Sequence, residues 1–391
     1  MKGRWNNAES ENWASCAHLY PKGADEMTHR GARSGLYDEP NPELYGLPFT
    51  VSEFNGMPYH QLGGSGLRVS NVGLGTWKFG YPETGDGARL GEAEALRILD
   101  RALELGVTFW DTASRYNNAS GNSERVLGRW LSLNPRQRRN VILASKVYPL
   151  MDGRTPNHCW LSRTNITEGV YASLERLRTD YVDLLYLHFF DSHTPADETL
   201  CAVDDLIRCD LVRYLGVSNF TVEQLSKFQS VLERNSYLRC RIVVVQNQFD
   251  ILHGELGKYG GTGVLDYCAR HGIAFVAWSP LAGGLVSERY AHPESAKRGD
   301  RLFDEGLVKH SCTPAIVAKL RRLNKLAVEY GLAVTELALA FMLSISGMGP
   351  VIPSVSNVDQ LESNARAGTL ELNESQLAAV AEACGFQAHE R

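Results

Sequence analysis

Eight short apolar runs constrain this chain more than any other feature of its sequence. They are Val69–Leu74, Val107–Asp111, Val141–Lys146, Val182–His188, Tyr214–Val217, Ile242–Gln246, Ala274–Trp278 and Gly349–Pro353. Runs this short and continuous suit strands buried on both faces, as in a parallel sheet. The stretches between them carry a different period. In Glu92–Leu105, Leu96, Leu99 and Leu103 recur at helical spacing, and Gly106 follows where a helix would stop. Asn165–Arg178, Ala196–Arg208, Val222–Leu232 and Asn357–Ala367 have the same character. Strand and helix alternating eight times predict an α/β chain folded as a (β/α)₈ TIM barrel. An open doubly wound sheet is the weaker reading, because no G-x-G-x-x-G follows an early strand.

The chain has 391 residues, long for a domain of roughly 100–200 but suited to a barrel of about 250 with additions. The additions are visible. Residues 1–56 are rich in Asn, Glu, Gly, Pro and Ser, and their apolar residues fall without period, so they read as an irregular N-terminal extension; the barrel takes 57–391. The extension carries Trp5, Trp13, Tyr20, Tyr37, Tyr45, Phe49 and Phe54, enough aromatic surface to pack on a body. A second addition is the polar stretch from Leu281 to Cys312, with Gly283, Gly284 and Pro293, where a barrel strand hands over to a long loop.

Composition excludes several functions. With 43% hydrophobic and 22% charged residues the chain is an ordinary globular protein. Its net charge of −5 gives no global field to recruit nucleic acid or an acidic membrane. The eight cysteines are scattered, with no C-x-x-C pair, and no N-terminal run suits a signal peptide, so a cytoplasmic location with reduced thiols is expected. Asp191, His193 and Asp197 lie close together, but no metal is expected, since the chemistry below needs none.

A barrel carries its reactive groups at the C-terminal ends of its strands. Asp111 ends VTFWD, with Tyr116 in the loop beyond; Lys146 ends VILASK and His188 ends YVDLLYLH. Their joint occurrence on consecutive strands fits proton transfer coupled to carbonyl reduction. A free phenol, with pKa near 10, is a poor proton carrier at neutral pH, and a neighbouring ammonium lowers it. Lys146 would supply that ammonium, Asp111 would hold it charged, and His188 would bond the substrate oxygen. None of the four carries a hydride, so a cofactor must.

The chain resembles the aldo-keto reductase superfamily through LGGSGLRVSNVGLGTW (62–77), FWDTASRYNN (109–118), NSERVLG (122–128), SLERLRTDYVDLLYLH (173–188), VRYLGVSNF (212–220), AWSPLAGGL (277–285) and VIPSVSNVDQLESN (351–364). The resemblance implies a (β/α)₈ barrel, a nicotinamide cofactor across its mouth, and Asp111, Tyr116, Lys146 and His188 as catalytic tetrad. It implies cofactor contacts from Thr76, Trp77, Ser218, Asn219, Gln246, Trp278, Ser279 and Leu281. After the last strand it implies further contacts from Ser354, Ser356, Asn357, Gln360 and Asn364. An aromatic rim of Trp77, Tyr116, Phe189 and Phe190 would favour a substrate with an apolar or stackable face, such as a sugar ring, terpenoid or aryl ketone. Strand alternation points Trp110 away from this side.

One departure concerns NADP(H) against NAD(H). The segment that would grip the adenosine end is neutral at Ser354, Ser356, Asn357 and Gln360 and acidic at Asp359, so the cation that pairs a 2′-phosphate is missing there, and NAD(H) or dual use becomes an alternative. Two other functions compete with an oxidoreductase of small aldehydes, ketones and alcohols. One is a cofactor-binding accessory subunit on the same barrel, as in relatives that serve potassium channels. The other is a lyase or isomerase using Lys146 as a Schiff base, which Asp111 opposes by holding the lysine protonated.

Overall fold

A computed structural model describes residues 52–148, 155–256 and 260–386. Residues 1–51 of the N-terminal extension lie outside the described residues.

The chain enters through two antiparallel pairings. β1 (Glu53–Phe54) pairs with β2 (Met57–Gln61), which pairs with β3 (Arg68–Ser70). The first pairing straddles residue 56, where composition placed the start of the barrel. The turn between β2 and β3 lodges under the barrel: Leu62 and Val69 are fully buried with Phe109, Leu184, Val244 and Val276 from its interior. Gly63 there has φ +57, and a Cβ on it would collide with the Val243 carbonyl and sit 2.8 Å from Ala274 N. Gly63→Ala is therefore expected to destabilise the fold by more than about 1 kcal/mol. A urea midpoint that drops at constant m-value would show it; an unchanged midpoint would mean that the turn is not seated there.

Eight parallel strands follow. They are β4 (Leu74–Gly75), β5 (Phe109–Asp111), β6 (Ile142–Val147), β7 (Val182–Leu187), β8 (Val212–Ser218), β9 (Ile242–Asp250), β11 (Ala274–Trp278) and β12 (Met348–Ile352). A short β10 (Gly254–Glu255) folds back antiparallel on β9. Each strand of the eight pairs with the next, and the ring closes where Gly73 N and Gly75 N donate to the carbonyls of Val351 and Pro353 at 2.9 and 3.1 Å. This is the expected (β/α)₈ barrel. The first apolar run needs correction: Val69–Leu74 is not one strand. Its start belongs to the antiparallel β3 and its end to the barrel strand β4, with the direction changing between Ser70 and Leu74.

The helices that cover the barrel are α1 (Glu92–Glu104), α2 (Asn122–Leu133), α3 (Arg163–Leu177), α4 (Ala196–Arg208), α5 (Val222–Arg234), α6 (Val264–His271), α7 (Pro314–Tyr330), α8 (Val334–Leu343), α9 (Val358–Ala367) and α10 (Glu374–Cys384). Side-chain caps fix several starts. Ser162 accepts from Asn165 N ahead of α3, and Thr221 and Gln224 form a reciprocal box ahead of α5. Trp110 does turn outward from β5, its ring 4.7 Å from that of Trp130 on α2. Gly128 on α2 lets α3 approach so closely that a Cβ would run into the Arg176 carbonyl.

The stretch after β11 is anchored rather than loose. Leu285, Val286, Tyr290, Ala291 and Leu302 are buried in a second core against α7, α8 and α10, and the Tyr290 hydroxyl accepts from Leu302 N at 3.1 Å. Among the described residues no single helix is long and apolar enough to cross a membrane; α7 and α8 reach the needed length only together, across a 93° bend.

Candidate active site

The C-terminal mouth of the barrel opens into a cleft of about 900 Å³, at the large end for small-molecule sites. Register brings its groups level. Asp111 pairs across with Gly75 on one side and Ala144 on the other, Lys146 pairs with Tyr186, and Ser218 pairs with Gln246. Alternation along β5 sends Phe109 and Asp111 into the barrel and Trp110 out.

Three of the four expected reactive side chains bond directly to one another. Lys146 Nζ donates to Asp111 Oδ1 at 2.6 Å, to the Thr112 carbonyl at 2.9 Å and to Tyr116 Oη at 2.8 Å. The Tyr116 hydroxyl in turn donates to Asp111 Oδ1 at 3.0 Å. His188 lies across from it, ring centroids 6.3 Å apart, stacked on Phe189 at 5.0 Å. Its Nδ1 is buried with no hydrogen-bond partner among the described residues. The loop that presents Tyr116 is unusual: Asn117, Asn118 and Ala119 all have positive φ, and two of the three are of the residue type that tolerates it. Asn117 Nδ2 ties that loop to the Phe79 carbonyl.

Electrostatics overturn one expectation. The Tyr116 phenol is raised well above 10, by burial first and then by the charge of Asp111 and the hydrogen bond to it. The ammonium at 2.8 Å does not outweigh these effects. Burial lowers Lys146, while Asp111 and, further off, Glu124 oppose the shift. His188 is held well below 6.5, by burial and then by the positive charges of Lys146 and Arg115, so its imidazole is neutral.

The expected cofactor residues divide into two groups. Trp77, Ser218, Asn219, Gln246, Trp278, Ser279 and Leu281 line the cleft, as do Ser354, Ser356, Asn357, Gln360 and Asn364. Thr76 does not. It is fully buried, donating to the Asp111 carbonyl at 2.9 Å and bonded to Ser123 Oγ at 2.8 Å, so it braces the site from behind. Gln246 lines the cleft, but its Nε2 donates to Asp111 Oδ2 at 2.7 Å and orients that carboxylate. Asn219 donates to the His188 carbonyl at 2.9 Å and accepts from Trp278 Nε1 at 3.2 Å. Asn219 and Ser279 both sit at positive φ, and such strain collects where side chains are held for a task.

Three of the four expected rim residues, Trp77, Tyr116 and Phe189, line the cleft, whereas Phe190 packs on Phe220 and Phe228 at 5.5 and 6.0 Å, because the chain bends after His188. Tyr148, 5.5 Å from Phe189, and Trp160 beyond it extend the aromatic surface in a way the sequence did not reveal. Asp191 accepts from the backbone N–H groups of Leu161 and His193, which makes it a turn-holding residue.

The sequence also missed the charge around the cleft. Lys78, Arg89, Arg289 and Arg301 all line it. Arg301 lies 5.1 Å over the Trp77 ring, and Glu305 binds both Arg89 at 2.5 Å and Arg301 at 3.0 Å, joining the segment after β11 to the loop after β4.

These residues fit an extended ligand with a flat polar head. An unpartnered His188 nitrogen, the Ser218 and Asn219 side chains and the Trp278 indole line one cleft, and at Gly75 a Cβ would meet Ser354 Oγ at 2.9 Å, so backbone is kept out of the way. Residues 71–384 match the model of the Aldo/keto reductase family. The chain is 33% identical over 341 residues to the protein named Aldo-keto reductase AMT2 of Alternaria alternata, covering 81% of this chain and 89% of that one. It is 30% identical to the Versiconal hemiacetal acetate reductase of Aspergillus parasiticus, covering 76% and 88%. It is likewise 30% identical to a Probable voltage-gated potassium channel subunit beta of Arabidopsis thaliana, covering 80% and 91%.

Proposed function

This chain belongs to the aldo/keto reductase family and is an oxidoreductase; from that premise we propose that it interconverts a small aldehyde or ketone with its alcohol, using a nicotinamide cofactor and Tyr116 as proton carrier. The observation that carries the proposal is the Tyr116 hydroxyl, within hydrogen-bond distance of both Lys146 Nζ and Asp111 on the wall of one cleft. Bound there, the nicotinamide supplies the hydride.

The side chains then have these roles. A phenol raised well above 10 is protonated at neutral pH, so Tyr116 gives its proton to the carbonyl oxygen during reduction. The phenolate left behind faces the Lys146 ammonium at 2.8 Å, which offsets the charge as it develops. Asp111 keeps that ammonium in place, and Gln246 keeps Asp111 in place. Neutral His188 offers a hydrogen bond to the substrate oxygen and adds no competing charge. In oxidation the same phenolate takes the proton back. Trp278 supplies a flat face for the nicotinamide, and Ser218 and Asn219 supply polar groups for its carboxamide.

Residues 57–391 form the catalytic barrel in this reading and 1–56 an appended segment. The described cysteines are free thiols, which suits the reducing cytoplasm. Loss of reduced-nicotinamide absorbance on mixing the protein with a panel of aliphatic, sugar and aryl carbonyls tests the proposal. Turnover of at least one carbonyl is expected. Cofactor binding with no turnover of any carbonyl or alcohol would favour the second reading, an accessory subunit, to which the likeness to the potassium channel subunit points.

A further inference from the structure

Tyr116 stands at the start of an unfavourable stretch of backbone. The residues after it, Asn117, Asn118 and Ala119, have φ of +56, +56 and +60, a left-handed run that costs energy at each position and most at the alanine. Within the turn, Ala119 N donates to the Arg115 carbonyl and Ser120 N to the Asn117 carbonyl, both at 3.1 Å. Those bonds close the turn without fixing where it sits against Lys146. The fastening comes from outside it, from the loop after β4.

That loop is closed at its base, where Gly80 N donates to the Leu90 carbonyl at 3.0 Å, and it curls around one carboxylate. Asp86 is buried and accepts from Tyr81 N at 2.9 Å, Ala88 N at 2.8 Å and Asn122 Nδ2 at 2.9 Å. Two of these donors belong to the loop's own backbone, which is how Asp191 holds its turn. The third reaches out of the loop. Asn122 is the first residue of α2, just beyond the left-handed run, and its Oδ1 accepts from Arg125 Nη1 at 3.2 Å. The run is thus tied to one loop at both ends, Asn117 Nδ2 donating to the Phe79 carbonyl and Asn122 Nδ2 to Asp86. The space between is already filled. A Cβ on Gly80 would lie 2.5 Å from Asp86 Oδ2 and 2.9 Å from Asn117 Nδ2, and one on Gly87 would lie 3.0 Å from Asn118 Nδ2.

We propose that Asp86 is a positioning residue for Tyr116, and that through Asn122 and the loop it gathers it keeps the phenol in reach of Lys146 and the substrate oxygen. The inference rests on the reading of Tyr116 as proton carrier. Asp86 does not line the cleft, so it is out of reach of any ligand bound there. Its effect is on distance. The Tyr116 hydroxyl meets Lys146 Nζ at 2.8 Å and Asp111 Oδ1 at 3.0 Å, and proton transfer slows steeply when such contacts lengthen. A carboxylate suits the task because it accepts from all its donors at once, whereas an amide turns a donor of its own toward one of them.

The test compares Asp86→Ala and Asp86→Asn, each alone and combined with Tyr116→Phe, in single-turnover reduction of a responsive carbonyl at saturating cofactor. Asp86→Ala is expected to slow that step about ten- to a hundredfold, as a misplaced reactive group does, with dinucleotide affinity within about twofold of the wild type. Asp86→Asn should lose less, since an amide oxygen in place of Oδ2 keeps the bonds from Tyr81 N and Asn122 Nδ2. On Tyr116→Phe, Asp86→Ala should cost less than about twofold more, because the hydroxyl that it positions is gone. An unaltered rate in Asp86→Ala overturns the proposal, as does a further loss on Tyr116→Phe as large as that on the wild type. So does a fall in dinucleotide affinity that matches the fall in rate, which would mean that the loop shapes the cleft and not the place of Tyr116. Should Asp86→Ala fail to fold, Asn122→Ala breaks the same link from the helix side and leaves Asp86 its two backbone donors. The same loss of rate, absent on Tyr116→Phe, is then expected, and its absence on the wild type overturns the proposal. A Tyr116→Phe variant as fast as the wild type would instead overturn the proton-carrier reading itself.

Discussion

Tyr116→Phe is expected to lower kcat by about 10²- to 10⁴-fold, the usual worth of a positioned proton carrier, while dinucleotide affinity stays nearly unchanged. The substitution removes one oxygen and little else. Lys146 keeps its bonds to Asp111 Oδ1 and the Thr112 carbonyl, and Asp111 keeps those from Lys146 and Gln246, so no charge is left stranded. The ring stays where it is because the Asn117–Ala119 turn holds it. Single-turnover reduction with saturating cofactor separates the chemical step from release, and the loss should appear there. Turnover that survives intact with every responsive carbonyl would remove Tyr116 from the mechanism.

A second large effect is expected one layer behind the site. Glu124 on α2 is fully buried, accepts from Ser145 Oγ at 2.5 Å, and pairs with Arg176 Nε of α3 at 2.6 Å, itself nearly buried. Removing one partner of such a pair leaves the other charge in a poorly solvated setting, which costs about 3–5 kcal/mol. Glu124→Ala should therefore lose that much in urea unfolding. The paired replacement Glu124→Leu with Arg176→Met should recover most of it, because an apolar pair of similar volume carries no desolvation penalty. A loss under about 1 kcal/mol for the single variant would mean that water reaches the pair. The site would register the change as well, since Ser145 immediately precedes Lys146 on β6 and Glu124 helps hold the lysine charged.

The parts legible in the sequence were those that a single element carries. Val182–Leu187 is buried at every position, so the parallel strand shows as an unbroken apolar run and His188 shows as its polar end. Asp111 and Lys146 are visible on the same ground. What the sequence concealed depends on where the chain turns. Ser70, Asn71, Val72 and Gly73 belong to one apolar stretch by pattern, yet the backbone leaves an antiparallel ribbon and joins a parallel barrel within it. Phe190 stands two places from His188 and faces away, on Phe220. The raised Tyr116 phenol required knowing that burial and Asp111 act on it more strongly than Lys146 does. The cations of the cleft come from Lys78, Arg89, Arg289 and Arg301, separated in sequence and gathered only when the ring closes between β4 and β12.

The ribbon beneath the barrel also bears on the order of events in the proposed reaction. With Leu62 and Val69 lodged in its lower end, and Phe109, Leu184 and Val276 filling the middle, the barrel is a blind-ended cup. Among the described residues, these side chains close the barrel beneath Tyr116. In the proposed reaction the proton that Tyr116 gives up is replaced from bulk water through the same mouth that admits substrate, so the refill waits until the product alcohol has left. Recharging the phenol and emptying the cup are consecutive steps, and a slow product therefore delays the next proton as well as the next substrate.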